Sequence, residues 1–117
     1  MSAFYIIRYA GTAGQGNGIL YIGRGIVVGV DVVGAKYQGS YSDRNGRLQG
    51  SVKLTAPTAG SHLVTGQIVP GGQSFDLRFN LPANFANGRP QTITGVGGVP
   101  VQVTFEKISE LRDDSLA

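Results

Sequence analysis

Few side chains in this sequence could do chemistry, and their spacing narrows what that chemistry could be. His62 is the single histidine and stands beside Ser61. A nucleophilic triad needs serine, histidine and an acid to converge, and nothing local supplies the third member. The ordinary reading of His62 is a partly exposed histidine at a strand end. Metal binding needs several His or carboxylate ligands, whereas the chain up to Phe105 offers one His and three scattered acids, Asp31, Asp43 and Asp76. Those acids also lack the pairing that glycoside hydrolysis uses. With no cysteine, thiol catalysis, thiolate metal sites and disulfides are excluded. Gly14-Gln15-Gly16-Asn17-Gly18 looks like a phosphate loop, but such a loop must open a helix. Here a strand follows and no Gly-Lys-Ser/Thr appears, so a flexible hairpin loop is expected. No catalytic residue, metal or cofactor is expected.

Two features are more informative. Asp31 interrupts an apolar run, Val27-Val28-Gly29-Val30-Asp31-Val32-Val33. A carboxylate there either faces out or is held by hydrogen bonds inside the fold; held inside, it could fix strand geometry or mark a ligand site. The five tyrosines are Tyr5, Tyr9, Tyr21, Tyr37 and Tyr41. Tyr37 and Tyr41 share one face of one strand with Gly39 between them. Rings with a polar tip suit a cavity wall or an interface, and they suit core packing equally. Single-stranded nucleic acid would require aromatics interleaved with Lys/Arg; this strand has only Lys36 near its rings, so no nucleic-acid partner is expected.

The elements that must position these residues are strands. Phe75, Leu77 and Phe79 alternate with Ser74, Asp76, Arg78 and Asn80, and Val101, Val103 and Phe105 alternate with Gln102, Thr104 and Glu106. Period two is the signature of a half-buried antiparallel strand, because successive side chains point to opposite faces. Ile19–Ile22 and Ile26–Val30 are apolar on both sides, as in central strands or strands covered on both faces. Asn45-Gly46 is the strongest hairpin signal, since a type I′ turn needs positive φ at both central residues. Nine strands are expected: 3–9, 18–22, 26–33, 35–43, 47–56, 62–69, 73–80, 91–96 and 99–107. Many short strands with close turns point to an all-β barrel or sandwich. Gly29, Gly39, Gly50 and Gly66 fall inside strands, where a sharply coiled barrel tolerates them. A single antiparallel β-barrel over 1–107 is expected, with 108–117 a frayed tail or short helical turn.

Length and composition agree. A chain of 117 residues is one domain. It can bury about two-thirds of its unfolded surface. Hydrophobic residues at 41% argue against disorder, and 19 glycines with no three-residue period exclude collagen. The net charge of +3 is uneven: eight Lys/Arg face three acids through Phe105, and the last twelve residues are net acidic. The basic residues come one or two per strand or turn, an ordinary solvated surface rather than a nucleic-acid footprint. No secretory signal is recognised at the N-terminus and no apolar window is long enough for a membrane helix. A soluble cytoplasmic protein without a membrane partner is expected.

Gly18-Ile19-Leu20, then Val28-Gly29-Val30-Asp31, then Tyr37-Gln38-Gly39-Ser40-Tyr41 resemble the GrlR family, negative regulators of type III secretion. The family pattern is a glycine-led apolar strand, a glycine-aspartate strand and a tyrosine-x-glycine strand, all at matching spacing here. The likeness covers most of residues 4–107; its specific part is about 18–41, and Val101–Lys107 with Phe105 fits more weakly. It implies a small lipocalin-like barrel of eight or nine strands with an apolar cavity, a homodimer, and no enzyme activity. It also implies a protein partner, a transcriptional activator held through an acidic loop after the tyrosine-x-glycine strand. The matching loop is Ser42-Asp43-Arg44-Asn45-Gly46-Arg47. It keeps one acid, Asp43, and gains Arg44 and Arg47, so its charge is reversed and it would repel a basic partner.

Two functions follow as expectations. One is a dimeric regulatory module that sequesters a protein, with Asp43, Arg44 and Arg47 as loop candidates. The other is a carrier or sensor of a small apolar ligand, since a barrel of about eight strands can hold one. Tyr37, Tyr41, Leu77 and Phe79 are its candidate cavity residues by alternation.

Overall fold

The computed structural model describes residues 2–111. Ten strands follow one another: β1 (Ser2–Gly11), β2 (Gly14–Gly23), β3 (Ile26–Asp31), β4 (Lys36–Arg44), β5 (Arg47–Thr55), β6 (Ser61–His62), β7 (Ile68–Val69), β8 (Ser74–Pro82), β9 (Gln91–Thr94) and β10 (Pro100–Glu110). Eight of them close an antiparallel barrel in the order β1-β10-β9-β8-β5-β4-β3-β2, and β6 and β7 form a separate two-stranded hairpin. This is the antiparallel β-barrel that the period-two pattern called for, and it is consistent with the small lipocalin-like barrel that the resemblance implies. The closure is narrowest between β8 and β9, which pair only at Arg78↔Thr94.

Local chemistry accounts for the connections. Asn45 (φ 54) and Gly46 (φ 75) both take positive φ in the two-residue turn from β4 to β5, as a type I′ hairpin requires. A Cβ on Gly39 would run into the carbonyl of Ser51, and one on Gly50 into that of Ser40. These glycines let β4 and β5 approach closely enough to coil.

Three expected boundaries are corrected. The stretch Gly11–Gly18 is not a flexible loop: β1 and β2 pair from Ser2↔Gly23 to Gly11↔Gly14, leaving only Thr12 and Ala13 as the turn. Glycines with no side-chain pattern concealed that ladder. Residues 62–69 are not one strand. Gly66 (φ 92) reverses the chain, with bonds from Leu63 N to Gln67 O and from Gly66 N to Leu63 O. The expected 108–117 tail begins later, because β10 continues to Glu110 opposite Ala3; the part of that expectation beyond residue 111 lies outside the described residues.

The interior is filled unevenly. At the end of the barrel where β4 turns into β5, Tyr5, Phe85 and Phe105 pack with ring centroids 5.0–6.4 Å apart. Phe85 is 1% exposed and comes from the loop after β8, held by Phe85 N–H to Pro82 O and Ala83 N–H to Gly46 O. Each buried ring contributes about 2–3 kcal/mol of transfer free energy, and edge-on aromatic pairs add roughly 1 kcal/mol. The plug closes this end. At the other end, where β5 stops and β8 starts, the β6–β7 hairpin folds across the opening and is tied down by Ala13 N–H to Val64 O at 2.7 Å.

The outer surface is two-sided. Phe4, Tyr21 and Val28 form one row across β1, β2 and β3, and Ile6, Ile19 and Val30 form the next. The outer faces of β4, β5 and β8 instead present Lys36, Lys53, Asp76 and Arg78, with Lys53 opposite Asp76. A lipid-spanning barrel carries an apolar band all round, unlike this half-and-half surface. No described helix is long and apolar enough to cross a membrane.

Candidate functional site

Between the aromatic plug and the β6–β7 hairpin the barrel holds a partly open cavity of about 200 Å3. Its walls are mostly apolar, with Ile7, Leu20, Leu54, Leu77, Val101 and Phe105 from five strands. Polar lining residues are Gln15, His62, Thr65 and Arg78, and a hydrogen-bonded cluster at the hairpin end built from Tyr9, Asp31 and Tyr37.

Asp31 closes β3 and faces inward, 7% exposed. Its oxygens divide the work. Oδ1 accepts the N–H groups of Val33 (3.1 Å) and Ala35 (3.0 Å). With Gly34 N–H bonding Asp31 O and Asp31 N–H bonding Ala35 O, this fixes the turn into β4. Oδ2 accepts the hydroxyls of Tyr37 (2.8 Å) and Tyr9 (3.0 Å). The carboxylate therefore has the full set of bonds that a buried anion needs. Among the described residues no buried side-chain polar atom lacks a partner.

Two glycines of β2 make this convergence possible. Tyr9 pairs with Gly16 and Gly18 pairs with Asp31. A Cβ on Gly16 would lie 2.5 Å from the Tyr9 ring. The bare backbone thus lets the ring lie flat and reach across β2 to the carboxylate.

Burial raises both hydroxyls above the ordinary tyrosine value of 10.0, and the neighbouring Asp31 charge and its hydrogen bonds raise them further. Both tyrosines stay neutral donors at physiological pH. Tyr5 is raised too, again chiefly by burial.

The sequence-derived candidates separate into two places. Tyr37, Leu77 and Phe79 line the cavity. Tyr41 does not: it is half-buried against the core on the plugged side, opposite Gly50. Asp43, Arg44 and Arg47 lie at the β4–β5 hairpin, at the opposite end from the cluster, and all are exposed. Arg47 is held by Asn80, through Nε to Oδ1 at 2.6 Å and Nη2 to the carbonyl at 3.1 Å. Asp31 serves both readings open to it, fixing a turn and lining the cavity. His62 is exposed and stands at the cavity mouth. Sequence reasoning missed Tyr9; the signal was the pair of glycines on β2 that clears its path to Asp31. Among the described residues no group of three or more His, Cys, Asp or Glu could hold a metal.

The raised tyrosines give a signed pH dependence. A folded-state value above the unfolded one means that the folded protein retains protons the unfolded chain sheds. That stability is complete below about pH 10 and is lost as pH rises through and beyond it. Denaturant unfolding at pH 8, 10 and 11 should show a steep fall above pH 10. Tyr37→Phe should be less stable at pH 8, where a buried bond to Asp31 is gone, yet fall less steeply. An unchanged alkaline slope in that variant would contradict the assignment.

No family model, curated protein or solved structure matches this chain.

Proposed function

We propose that the protein is a non-enzymatic carrier or sensor of a small, largely apolar ligand held inside the barrel. The observation that carries this reading is the cavity itself: about 200 Å3, mostly apolar walls, and a hydrogen-bonded polar cluster at the covered end. Binding sites are typically apolar hollows with a few placed polar groups. An apolar cavity of roughly 150 Å3 suffices for benzene or xenon. The β6–β7 hairpin is the natural entry, because it lies outside the barrel sheet. Titration with benzene, followed by backbone amide NMR shifts, should perturb residues on several strands around the cavity. Leu77→Trp, which fills the space, should abolish those shifts while the barrel stays folded. Equal shifts in both proteins would place the binding elsewhere and defeat the reading.

A second reading is the regulatory module implied by the GrlR-family resemblance, acting as a homodimer or by holding a protein partner. The observation favouring it is the outer apolar face of β1–β3, where Phe4, Ile19, Ile26, Val28 and Val30 are 38–48% exposed. Contiguous apolar surface of this kind marks association sites. Sedimentation velocity should show a dimer that Val28→Asp converts to monomer. A wild-type monomer, or a dimer indifferent to Val28→Asp, would argue against self-association through this face. The compartment in this reading is the cytoplasm, where a transcriptional activator would be met.

A further inference from the structure

The polar cluster also defines what kind of ligand the cavity can accept; this inference rests on the carrier reading above. A tyrosine hydroxyl has one hydrogen to donate and lone pairs to accept with, and an ionised carboxylate only accepts. Tyr9 and Tyr37 both direct their hydrogens to Asp31 Oδ2, while Oδ1 is occupied by the amides of Val33 and Ala35. The valence left over at the cluster is therefore acceptor valence: the lone pairs of two hydroxyl oxygens converging on one carboxylate oxygen. All four groups bonding Asp31 are neutral, so an ion pair to the carboxylate is not among them.

A ligand headgroup placed against this cluster must donate. A carboxylic acid, ionised at neutral pH, would set its own oxygens against three acceptor oxygens and a like charge. A hydroxyl could donate one hydrogen. A protonated primary amine has three donors, enough to bridge both tyrosine oxygens, and a positive charge beside a carboxylate in a low-dielectric wall. Charge-assisted hydrogen bonds of that kind are about twice as strong as neutral ones. Away from the cluster the cavity is mostly hydrocarbon, with Gln15, His62, Thr65 and Arg78 as its other polar lining residues. Its volume of about 200 Å3 limits the rest of the ligand to one ring or roughly six carbons.

We propose that the cavity binds a compact primary amine, its ammonium seated on the Tyr9–Asp31–Tyr37 cluster and its alkyl or aryl body in the apolar barrel. At that cluster a fatty-acid-like anion would meet only acceptor oxygens and a like charge.

The test uses four probes of similar bulk on the whole protein at pH 7: benzene, 1-hexanol, hexylamine and hexanoate. Affinities are read by calorimetry and by amide NMR shifts around the cavity. Hexylamine should bind at least tenfold more tightly than 1-hexanol, and hexanoate should not bind. Tyr9→Phe keeps the ring over Gly16 but removes one acceptor oxygen. It should reduce the advantage of hexylamine over hexanol several-fold. Tyr37→Phe provides the same comparison from the other side of Asp31 should Tyr9→Phe fold poorly. Hexanoate binding as well as hexylamine, or an amine advantage that survives both substitutions, overturns the amine assignment while benzene binding still upholds the cavity. Failure of all four probes to enter overturns the carrier reading and the amine assignment together.

Discussion

A carboxylate inside an apolar barrel persists only if each of its oxygens is fully engaged, and this requirement organises one end of the molecule. Asp31 satisfies it with four neutral donors, two from the backbone and two from tyrosines. Removing the carboxylate would leave those donors facing hydrocarbon, each at a cost of about 1–3 kcal/mol. The same four bonds set the β3–β4 turn and orient Tyr9 and Tyr37 in the cavity wall. Turn and wall are thus consequences of a single buried carboxylate.

The cavity follows from how unequally the barrel is filled. Toward the β4–β5 hairpin, large rings meet: Tyr5, Phe85 and Phe105, with Leu48 and Leu81 around them. Toward the β6–β7 hairpin the inward positions on β2 include Gly16 and Gly18, and on β3 Gly29, where neighbouring atoms already fill the place a Cβ would take. The polar cluster stands at the edge of a hollow whose walls are mostly Leu, Ile and Val. The hairpin above it is joined to the barrel through the Ala13–Val64 bond and through the tight approach of Gly11, where a Cβ would lie 2.5 Å from Val64 O.

The barrel was legible in the sequence because period-two alternation is a local property. Phe75-Asp76-Leu77-Arg78-Phe79 and Val101-Gln102-Val103-Thr104-Phe105 declare their inward faces without knowledge of their partners. Asn45-Gly46 declares its turn in the same way. Asp31 stood out because a charge in a valine run demands an account. Alternation gives the face of a residue but not its depth along the barrel axis, so Tyr37 and Tyr41 looked equivalent and only Tyr37 reaches the cavity. Tyr9 was invisible as a partner of Asp31 because their meeting depends on the β1–β2–β3 register, and Gly14–Gly18 carries no side-chain pattern to reveal that register. The hairpin at 61–69 was hidden for a related reason: Ile68 and Val69 look like continuing strand, and only the positive φ of Gly66 reverses the chain. The resemblance over residues 18–41 speaks to β2, β3 and β4, and Tyr9 on β1 lies outside its specific part.

The central claim is that the barrel is hollow beneath the Tyr9–Asp31–Tyr37 cluster. Diffraction from crystals held under xenon pressure tests it most directly, since xenon occupies dry apolar voids without chemical preference. The account predicts one strong xenon peak inside the barrel, in contact with Leu77, Val101 and Ile7 and separated from the Tyr5–Phe85–Phe105 plug. An interior without xenon, with side chains meeting across the space, would contradict it.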